Sequence, residues 1–539
     1  GAGHGVQEYQ GAVPEAAEVG RPRHPLLRCQ LGDPNLSALL FRASWGRSGG
    51  TGPVDTILQS WSLVVQRTVF NSMTRFLFRA VAIPGYVILF GALALSCSSV
   101  NRSQATPVKR PAKPAHRPSM KVPPPPRAET AQEAPAPAVL CSPGPSVTNG
   151  AVMLHASASM AGEVRFTIGK SEPLAVLRCE GEPERKSGKQ GIWAEVETLD
   201  FRRGWVFSAG LEPLSGPDAE RIKGRSRFSP LDSKTLPRLL GKRGLVGGKH
   251  LKILVIEIVP NGDGGFVFHP YDNGGTAFDR DNWWPASSIK IFAAVAALQV
   301  VRAKGFSPRA TATFQYEERP RTLPVSKIVE LALTPSNNRA FDRLVEIAGF
   351  DRINGRCFTP RNGFRGTVFL RSYARRVLNP ETKLGTPRHS PAIELKEKKK
   401  TATLPERNGK GQFKCPYQGN CTTPWELAET MRRVMMHEHL PRAEQFALGE
   451  PELKVLRGAL AGKRPRGTSV VEALRGALGR AKVRHYHKPG YAYKWFSDNV
   501  FIHRPDTNQR WIVVIANHPG RDACDEAAKH VGALLATGK

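Results

Sequence analysis

The pattern of apolar and polar positions predicts strands and buried helices in the second half of the chain. Residues 287–300 read SSIKIFAAVAALQV, an alanine-rich apolar stretch without glycine or proline, which predicts a buried helix. From Asn338 the apolar positions recur at helical spacing, and Gly349 predicts the end of this second helix. The runs NVFIHR (499–504) and WIVVIANH (511–518) predict β-strands near the end of the chain.

A shorter region, residues 146–214, has a different pattern of short alternating runs, which predicts a small all-β barrel. Its ending, Trp193-Ala194-Glu195-Val196 followed by Arg203-Gly204-Trp205-Val206, resembles a bacterial SH3-like domain. The resemblance implies a module that binds peptidoglycan in the cell wall, and a structural spacer of the same fold is the alternative. Residues 215–245 are basic and contain proline, and they are read as a linker.

The first methionine, Met73, opens a segment that is typical of a secretory signal. Arg75 and Arg79 precede the apolar residues 80–96, and Cys97 follows directly. A cysteine at the cleavage point resembles a bacterial lipoprotein signal, which implies lipidation of Cys97. An N-terminal membrane anchor is the alternative. We therefore expect export to the cell envelope or periplasm, with a lipid anchor in the membrane.

Composition divides the chain into six segments. Residues 98–145 are dominated by proline, alanine and lysine, a composition that cannot build a core and favours an extended tether. The expected boundaries are an over-extended N-terminus (1–72), a signal peptide (73–97), a proline-rich tether (98–145), the small β domain (146–214), a linker (215–245) and the main domain (246–539).

The charge of +32 raises the question of nucleic-acid binding. The basic residues are spread over tail, linkers and an insert, and no recognised nucleic-acid motif occurs, so we expect no nucleic-acid partner. An exported basic protein would instead meet anionic wall polymers or lipid head groups. Cys415 and Cys421 flank PYQGN and are expected to close a small disulfide loop in an oxidising compartment. No metal and no cofactor are expected.

Three motifs occur in the order Ser-x-x-Lys, Ser-x-Asn, Lys-x-Gly: Ser287-Ser288-Ile289-Lys290, Ser336-Asn337-Asn338 and Lys488-Pro489-Gly490. Ser287 lies in the first turn of the predicted helix and Lys290 one turn later on the same face. Because burial disfavours the ammonium form, Lys290 can be the base that activates the Ser287 hydroxyl. The alternative is a capping serine and a lysine that reaches for solvent.

The other two motifs supply groups that could handle a substrate. Ser336 could pass a proton to a leaving group, and Asn338 could hold a substrate carbonyl. Lys488 could present a cation to a substrate carboxylate, and Gly490 could let the substrate backbone come close. Helix capping and an ordinary hairpin edge are the alternatives. A second sequence of this type, Ser497-Asp498-Asn499, is read as a turn.

Together, the motifs resemble those of the penicillin-recognising serine hydrolases, most closely the class A β-lactamase-like family, over about residues 246–539. The resemblance implies an α/β (α+β) fold in which an antiparallel sheet is flanked by helices and joined by an all-helical lobe. The Ser287 helix would be buried at their junction. Residues 252–259 resemble the first strand of the family, the segment from Thr422 resembles the helix after its Ω-loop, and 522–536 resemble its final helix.

The resemblance also implies roles for matching residues: Ser287 as nucleophile, Lys290 as its base, Ser336 and Asn338 in the second motif, Lys488 and Gly490 in the third, and the backbone N–H groups of Ser287 and Tyr491 as oxyanion hole. One position departs from the family. Pro489 stands where Ser or Thr is usual, which removes a hydroxyl and a backbone donor.

A carboxylate that activates the deacylating water is expected on the Ω-loop, in a Glu-x-x-Leu-Asn element. The nearest match begins at Glu381 and has Gly385 in place of Asn, just before a basic insert at 387–412. Glu381 is the candidate base, and a solvated loop glutamate is the alternative reading. Three further carboxylates are kept as candidates: Glu394, Glu397 and Glu406.

These implications converge on hydrolysis of β-lactams through an acyl-enzyme on Ser287. One alternative is a D,D-peptidase that acts on peptidoglycan stems, and another is a non-catalytic cell-wall-binding lipoprotein. The expected partners are a β-lactam or peptidoglycan-type substrate, peptidoglycan at the SH3-like domain, and the membrane at the lipid anchor. The chain is expected to be a monomer.

Overall fold

The computed structural model describes residues 140–538, except 246–247, 281–282, 317–318, 375–387, 417–418, 463–468 and 480–482, and two strands nearer the N-terminus. These strands, β1 (Phe78–Ile83) and β2 (Tyr86–Gly91), pair antiparallel within the segment that was expected to be a signal peptide. Cys97, the expected lipidation site, lies outside the described residues. The following paragraphs concern the compact unit that begins at Glu129.

The first part of this unit is a seven-stranded antiparallel sheet with the order β5-β4-β8-β7-β6-β3-β9. Its strands are β3 (Gly144–Thr148), β4 (Val152–His155), β5 (Val164–Ile168), β6 (Pro173–Lys186), β7 (Lys189–Thr198), β8 (Arg203–Phe207) and β9 (Leu211–Pro213). The all-β character predicted for 146–214 is therefore present, while the SH3-like relationship stays a prediction. A disulfide between Cys141 and Cys179 ties the start of the sheet to β6.

The segment expected to be a linker is folded. It contains helices α1 (Gly216–Gly224) and α2 (Thr235–Lys242), and their apolar side chains, such as Ile222 and Leu240, are buried. Basic residues stand between these apolar positions and concealed them in the composition. Helix α1 lies against β3 and β6 of the small sheet, whereas Leu240 of α2 packs into the core of the main domain.

The core of the main domain is a five-stranded antiparallel sheet with the order β11-β10-β20-β19-β18. Its strands are β10 (Lys252–Pro260), β11 (Phe266–Asp272), β18 (Arg484–Ala492), β19 (Trp495–Arg504) and β20 (Gln509–Asn517). Successive side chains of a strand point to opposite faces, and both faces are covered. Ile253 packs with helices α8 (Ser469–Leu478) and α9 (Asp522–Thr537), whereas Leu254 packs with α3 (Lys290–Ala303) and α6 (Pro424–Met435). The predicted sheet flanked by helices is confirmed.

The neighbouring lobe contains helices α4 (Val325–Leu333), α5 (Asn338–Ala348) and α7 (Glu450–Ala461), but the prediction of an all-helical lobe is wrong. A four-stranded sheet, with the order β13-β12-β15-β16, is built from β12 (Thr311–Phe314), β13 (Arg321–Pro324), β15 (Ile393–Glu397) and β16 (Lys400–Leu404). A short pair, β14 (His389–Ser390) with β17 (Arg407–Asn408), lies beside it in the chain.

The basic insert is thus a hairpin. In β15 the side chains of Ile393 and Leu395 are fully buried, whereas Glu394 is partly exposed and Lys396 is exposed. This alternation is the pattern of a half-buried strand, and the density of lysines hid it in the sequence.

The small sheet and the main domain share a hydrophobic core through Phe201, in the turn between β7 and β8. Its ring makes edge contacts with Trp425 of α6 at 4.5 Å and with Phe228 at 4.9 Å between ring centroids. Phe201 has a φ of 60°, which is uncommon for a bulky residue and is held by this packing. Ion pairs from Arg365 to Glu172 and Asp200 add to the same contact.

Candidate active site

Ser287 lies in a 3₁₀ turn, Ala286–Ile289, that leads directly into α3. The carbonyl of Pro285 accepts hydrogen bonds from the Ser288 hydroxyl at 2.6 Å and from the Ser288 amide at 3.0 Å, which fixes the turn. Ala286 has a φ of 48°, a strained value of the kind that occurs at functional sites. Side chains three residues apart on a 3₁₀ turn lie above one another, so Ser287 and Lys290 share a face.

Lys290 is fully buried at the start of α3, and its ammonium group binds the second motif. Nζ donates to the Ser336 carbonyl at 2.5 Å, to the Asn338 Oδ1 at 2.7 Å and to the Ser336 hydroxyl at 3.3 Å. Burial lowers the pKa of Lys290 to about 7, and the nearby Asp342 carboxylate offsets part of this shift. The interpretation of Lys290 as a solvent-seeking lysine is therefore wrong, and a neutral amine is accessible near neutral pH.

Two residues that support Lys290 were missed in the sequence. Asp342 on α5 accepts hydrogen bonds from the amides of Tyr373 and Ala374, both at 2.8 Å. The Tyr373 hydroxyl donates to the Ala286 carbonyl at 2.7 Å, and its ring lies 5.6 Å from the Lys290 Nζ. Burial raises the pKa of Tyr373, so its hydroxyl stays protonated and keeps this bond. No motif marks either residue, because their roles depend on a long-range contact.

The neighbouring residues of the second motif make different contacts. Asn337 caps helix α5 by accepting a hydrogen bond from the Ala340 amide at 2.9 Å, so capping, the alternative reading, is correct for this residue. Asn338 instead turns its side chain to Lys290. Ser336 precedes the cap with a φ of 61°, which makes it the second strained non-glycine residue of the site.

The third motif lies on β18, the edge strand of the main sheet, where a proline such as Pro489 is tolerated. Lys488 is fully buried and donates to the Ser336 hydroxyl at 2.8 Å and to the Pro489 carbonyl at 3.0 Å. Ser336 is therefore the point where all three motifs meet, because its oxygen accepts hydrogen bonds from both Lys290 and Lys488.

Gly490 is required for a reason other than the expected one. A β-carbon at this position would overlap the Pro285 carbonyl oxygen and would lie 2.8 Å from the Ser288 amide nitrogen and 3.0 Å from that of Ser287. The close approach is thus made by the turn before α3, rather than being reserved for a substrate backbone. It brings Tyr491, which follows on β18, alongside Ser287, so the two amides expected to form the oxyanion hole belong to adjoining segments.

The reading of Ser497-Asp498-Asn499 as a turn is wrong. These residues lie in the middle of β19, are fully buried and pair in register with the third motif, with Lys488 opposite Asn499 and Gly490 opposite Ser497. Asp498 is hydrogen-bonded to His487 Nδ1 at 3.0 Å, and Asn499 donates to the Leu427 carbonyl at 2.8 Å. Ser497 donates to the Pro285 carbonyl at 3.4 Å, so these polar groups join β19 to β18, to α6 and to the turn that holds Ser287.

An aromatic and cationic rim surrounds the opening of the site. Tyr491 and Tyr493 are among the exposed large side chains, and the Tyr493 ring makes an edge contact with Trp284 at 5.2 Å. The Arg371 guanidinium lies 5.7 Å from the Tyr493 ring and donates to its hydroxyl at 3.0 Å. Rings beside a guanidinium provide stacking surfaces and positive charge for a ligand that enters from this side.

Three of the four candidate carboxylates for deacylation, Glu394, Glu397 and Glu406, lie among the described residues. Glu381 lies outside the described residues. Glu397 bonds to Ser307, beyond the C-terminal end of α3, and Glu394 pairs opposite Thr313 in the four-stranded sheet. Glu406 is hydrogen-bonded to His389 Nε2 at 3.0 Å. None of these contacts involves a residue of the three motifs.

The remaining predictions for this domain concern its cysteines and possible metal ligands. Cys415 and Cys421 form a disulfide, as predicted. Among the residues that the structure describes, no group of three or more His, Cys, Asp or Glu side chains is placed to hold a metal ion.

Comparison with solved structures finds similar chains at low identity. PBP-A has 15% identity and a TM-score of 0.38, with 57% of this chain and 98% of that one covered. A class A beta-lactamase from Mycobacterium abscessus has 15% identity and a TM-score of 0.36, with 56% and 98% covered. One from Bacteroides cellulosilyticus has 14% identity and a TM-score of 0.37, with 56% and 99% covered. A search of the curated proteins found no match.

Comparison with protein families gives a match over residues 254–537, more than half of the chain, and this range contains all three motifs. The protein belongs to the beta-lactamase enzyme family.

Proposed function

We propose that the protein is a serine hydrolase that opens β-lactams through an acyl-enzyme on Ser287. The observation that carries the proposal is the meeting of Lys290, Lys488 and Ser336 beside the Ser287 turn. Lys290 takes the proton from the Ser287 hydroxyl, which attacks the lactam carbonyl. The amides of Ser287 and Tyr491 stabilise the oxyanion that forms.

Ser336 then supplies the proton that the leaving nitrogen requires. A serine hydroxyl has one O–H donor and two acceptor lone pairs. Both Lys290 and Lys488 donate to its oxygen, which directs the O–H bond away from the two cations. Ser336 is therefore poised to donate to the substrate nitrogen while Lys290 replaces the proton, and Asn338 orients the substrate amide.

A second function, D,D-peptidase-like acylation of peptidoglycan stems with slow release, is favoured by one observation. The hydrogen bonds of Lys290 run to Ser336 and Asn338, and no carboxylate of the described chain is among its hydrogen-bond partners. If Glu381 does not activate water, the acyl-enzyme persists. Export, the lipid anchor at Cys97 and wall binding by the small sheet are part of the same proposal, since they would hold the site near peptidoglycan.

Incubation with a chromogenic β-lactam, followed by intact-protein mass spectrometry, tests the proposal. Turnover supports the lactamase, and a stable adduct supports the peptidase-like function. The absence of both would leave the non-catalytic wall-binding protein. We expect Ser287→Ala to abolish the adduct.

The neighbouring serine gives a matched control. Ser288 points to the Pro285 carbonyl rather than to the site, so Ser288→Ala should keep the adduct while losing about 1 kcal/mol of stability with its buried hydrogen bond. An adduct that survives in Ser287→Ala, or disappears only in Ser288→Ala, would refute the assignment of the nucleophile.

A further inference from the structure

A second concave site lies between helix α5 and the basic insert, away from the three motifs. Its volume is about 340 Å³, within the range of small-molecule sites. Five of its lining residues are cationic: Lys304, Arg352, Arg356, Arg388 and Arg407. We call this site the cationic cavity.

Little negative charge compensates these cations. Of the described residues that line the cavity, Asp351 is the one acidic side chain, and its two oxygens already accept hydrogen bonds from the amides of Lys410 and Gly411, each at 2.9 Å. Among the described residues, no ion pair involves any of the four arginines. The cavity therefore concentrates positive charge that no ion pair among the described residues neutralises.

The fold holds two of these arginines in place. Arg407 donates from Nη2 to the carbonyls of Glu346 at 2.6 Å and Ile347 at 2.7 Å, which caps the C-terminal end of α5. The Arg388 guanidinium lies 5.2 Å from the buried ring of Phe350. Burial lowers the pKa of Arg407, and the neighbouring charge of Arg352 lowers it further. Like charges are thus kept together by packing instead of being allowed to separate.

Arg352 and Arg356 complete the wall with exposed side chains, one turn apart in a helical segment that follows Gly349. A guanidinium presents a planar fork of donors that matches phosphate and carboxylate oxygens. Several such forks around a cavity of this size suit a compact ligand with more than one oxyanion group. An uncharged ligand would leave the repulsion among the cations in place.

We propose that the cationic cavity binds a compact polyanion that carries two or more phosphate or carboxylate groups. The inference rests on the insert and on α5, and it does not depend on acylation of Ser287. It also gives the basic insert a role, since the hairpin that contains β15 and β16 leads directly to Arg407.

Isothermal titration calorimetry of the purified protein with inorganic pyrophosphate and, separately, with citrate tests the proposal. Tighter binding of pyrophosphate would identify phosphate as the ligand chemistry, and tighter binding of citrate would identify carboxylate. We expect Arg352→Gln/Arg356→Gln to weaken binding of the preferred anion by at least tenfold, because both substitutions remove charge-assisted hydrogen bonds to its oxygens.

A matched control removes the same charge elsewhere. Lys327→Gln/Lys454→Gln takes two exposed lysines from α4 and α7, and it should retain the affinity within about twofold because exposed distant charges are screened by salt. Arg352→Lys/Arg356→Lys keeps the charge but loses the fork, and we expect intermediate affinity. The proposal would be overturned if neither anion bound, or if Lys327→Gln/Lys454→Gln lost as much affinity as Arg352→Gln/Arg356→Gln. Thermal melts check that each variant is folded.

Discussion

Lys290 and the arginines of the cationic cavity carry the same formal charge in opposite surroundings. Lys290 is fully buried and donates hydrogen bonds to Ser336 and Asn338. Arg352 and Arg356 are exposed, and no ion pair with a described residue neutralises them. Burial makes the lysine a base by lowering its pKa, whereas the Arg352 and Arg356 side chains face solvent. Chemistry at one site and ion binding at the other therefore follow from how each cation is solvated.

Removing the Lys290 amine should give the largest effect. Lys290→Met fills a similar volume without a base, and we expect acylation of Ser287 to slow by roughly 10²–10⁴-fold, the usual contribution of a general base. Stopped-flow measurement with a chromogenic β-lactam gives the rate. Anion binding in the cationic cavity should be unchanged, and a parallel loss there would break the separation of the two sites.

A methyl group on Gly490 should have the next largest effect. Gly490→Ala forces β18 away from the turn that holds Ser287, and a displacement of about 1 Å can cost on the order of 10²-fold in rate. Gly458→Ala is the control, because a β-carbon at that position in α7 meets nothing within 4 Å. Unchanged acylation in Gly490→Ala would show that the contact between β18 and the turn is dispensable.

The pH dependence of acylation should be a smaller effect, and it should distinguish the buried lysine from the exposed arginines. Because the neutral amine is the base and the pKa of Lys290 is about 7, acylation should fall about tenfold for each pH unit below 7 and level off above it. Single-turnover rates from pH 5 to 8.5 provide the profile. Arginine pKa values lie far above this range, so binding in the cavity should follow only the ionisation of pyrophosphate or citrate and not the profile of acylation. A flat profile, or a rate that falls as pH rises, would contradict the role of Lys290.

The sequence predicted the parts of the fold that depend on local patterns. The apolar run from Ser287, the spacing from Asn338 to Gly349 and the strands near the C-terminus are present with small shifts in their ends. The motifs could also be read, because each residue type is tied to a chemical role. Their meeting at Ser336 required the folded chain, since long stretches of sequence separate them.

Misreadings arose where composition and environment diverge. The lysines of residues 387–412 identified only a basic insert, although Ile393 and Leu395 of β15 and Leu404 of β16 are buried. The polar residues Ser497-Asp498-Asn499 were read as a turn, although their side chains are buried and bond to β18, α6 and the turn before α3. Tyr373 and Asp342 could not be found, because nothing local to either residue indicates its contact with the Lys290 region.

The ring of Phe201 bears on how the chain unfolds. It belongs to the small sheet by sequence, but it is buried against Trp425 and Phe228. Separating the small sheet from the main domain would expose Trp425 and Phe228 on one side and Phe201 on the other, each side at a cost of about 2 kcal/mol or more. We therefore expect a single cooperative melting transition for residues 140–538. A fragment that ends near residue 214 would be a poor portable domain, because the ring of Phe201 would lack Trp425 and Phe228, against which it packs.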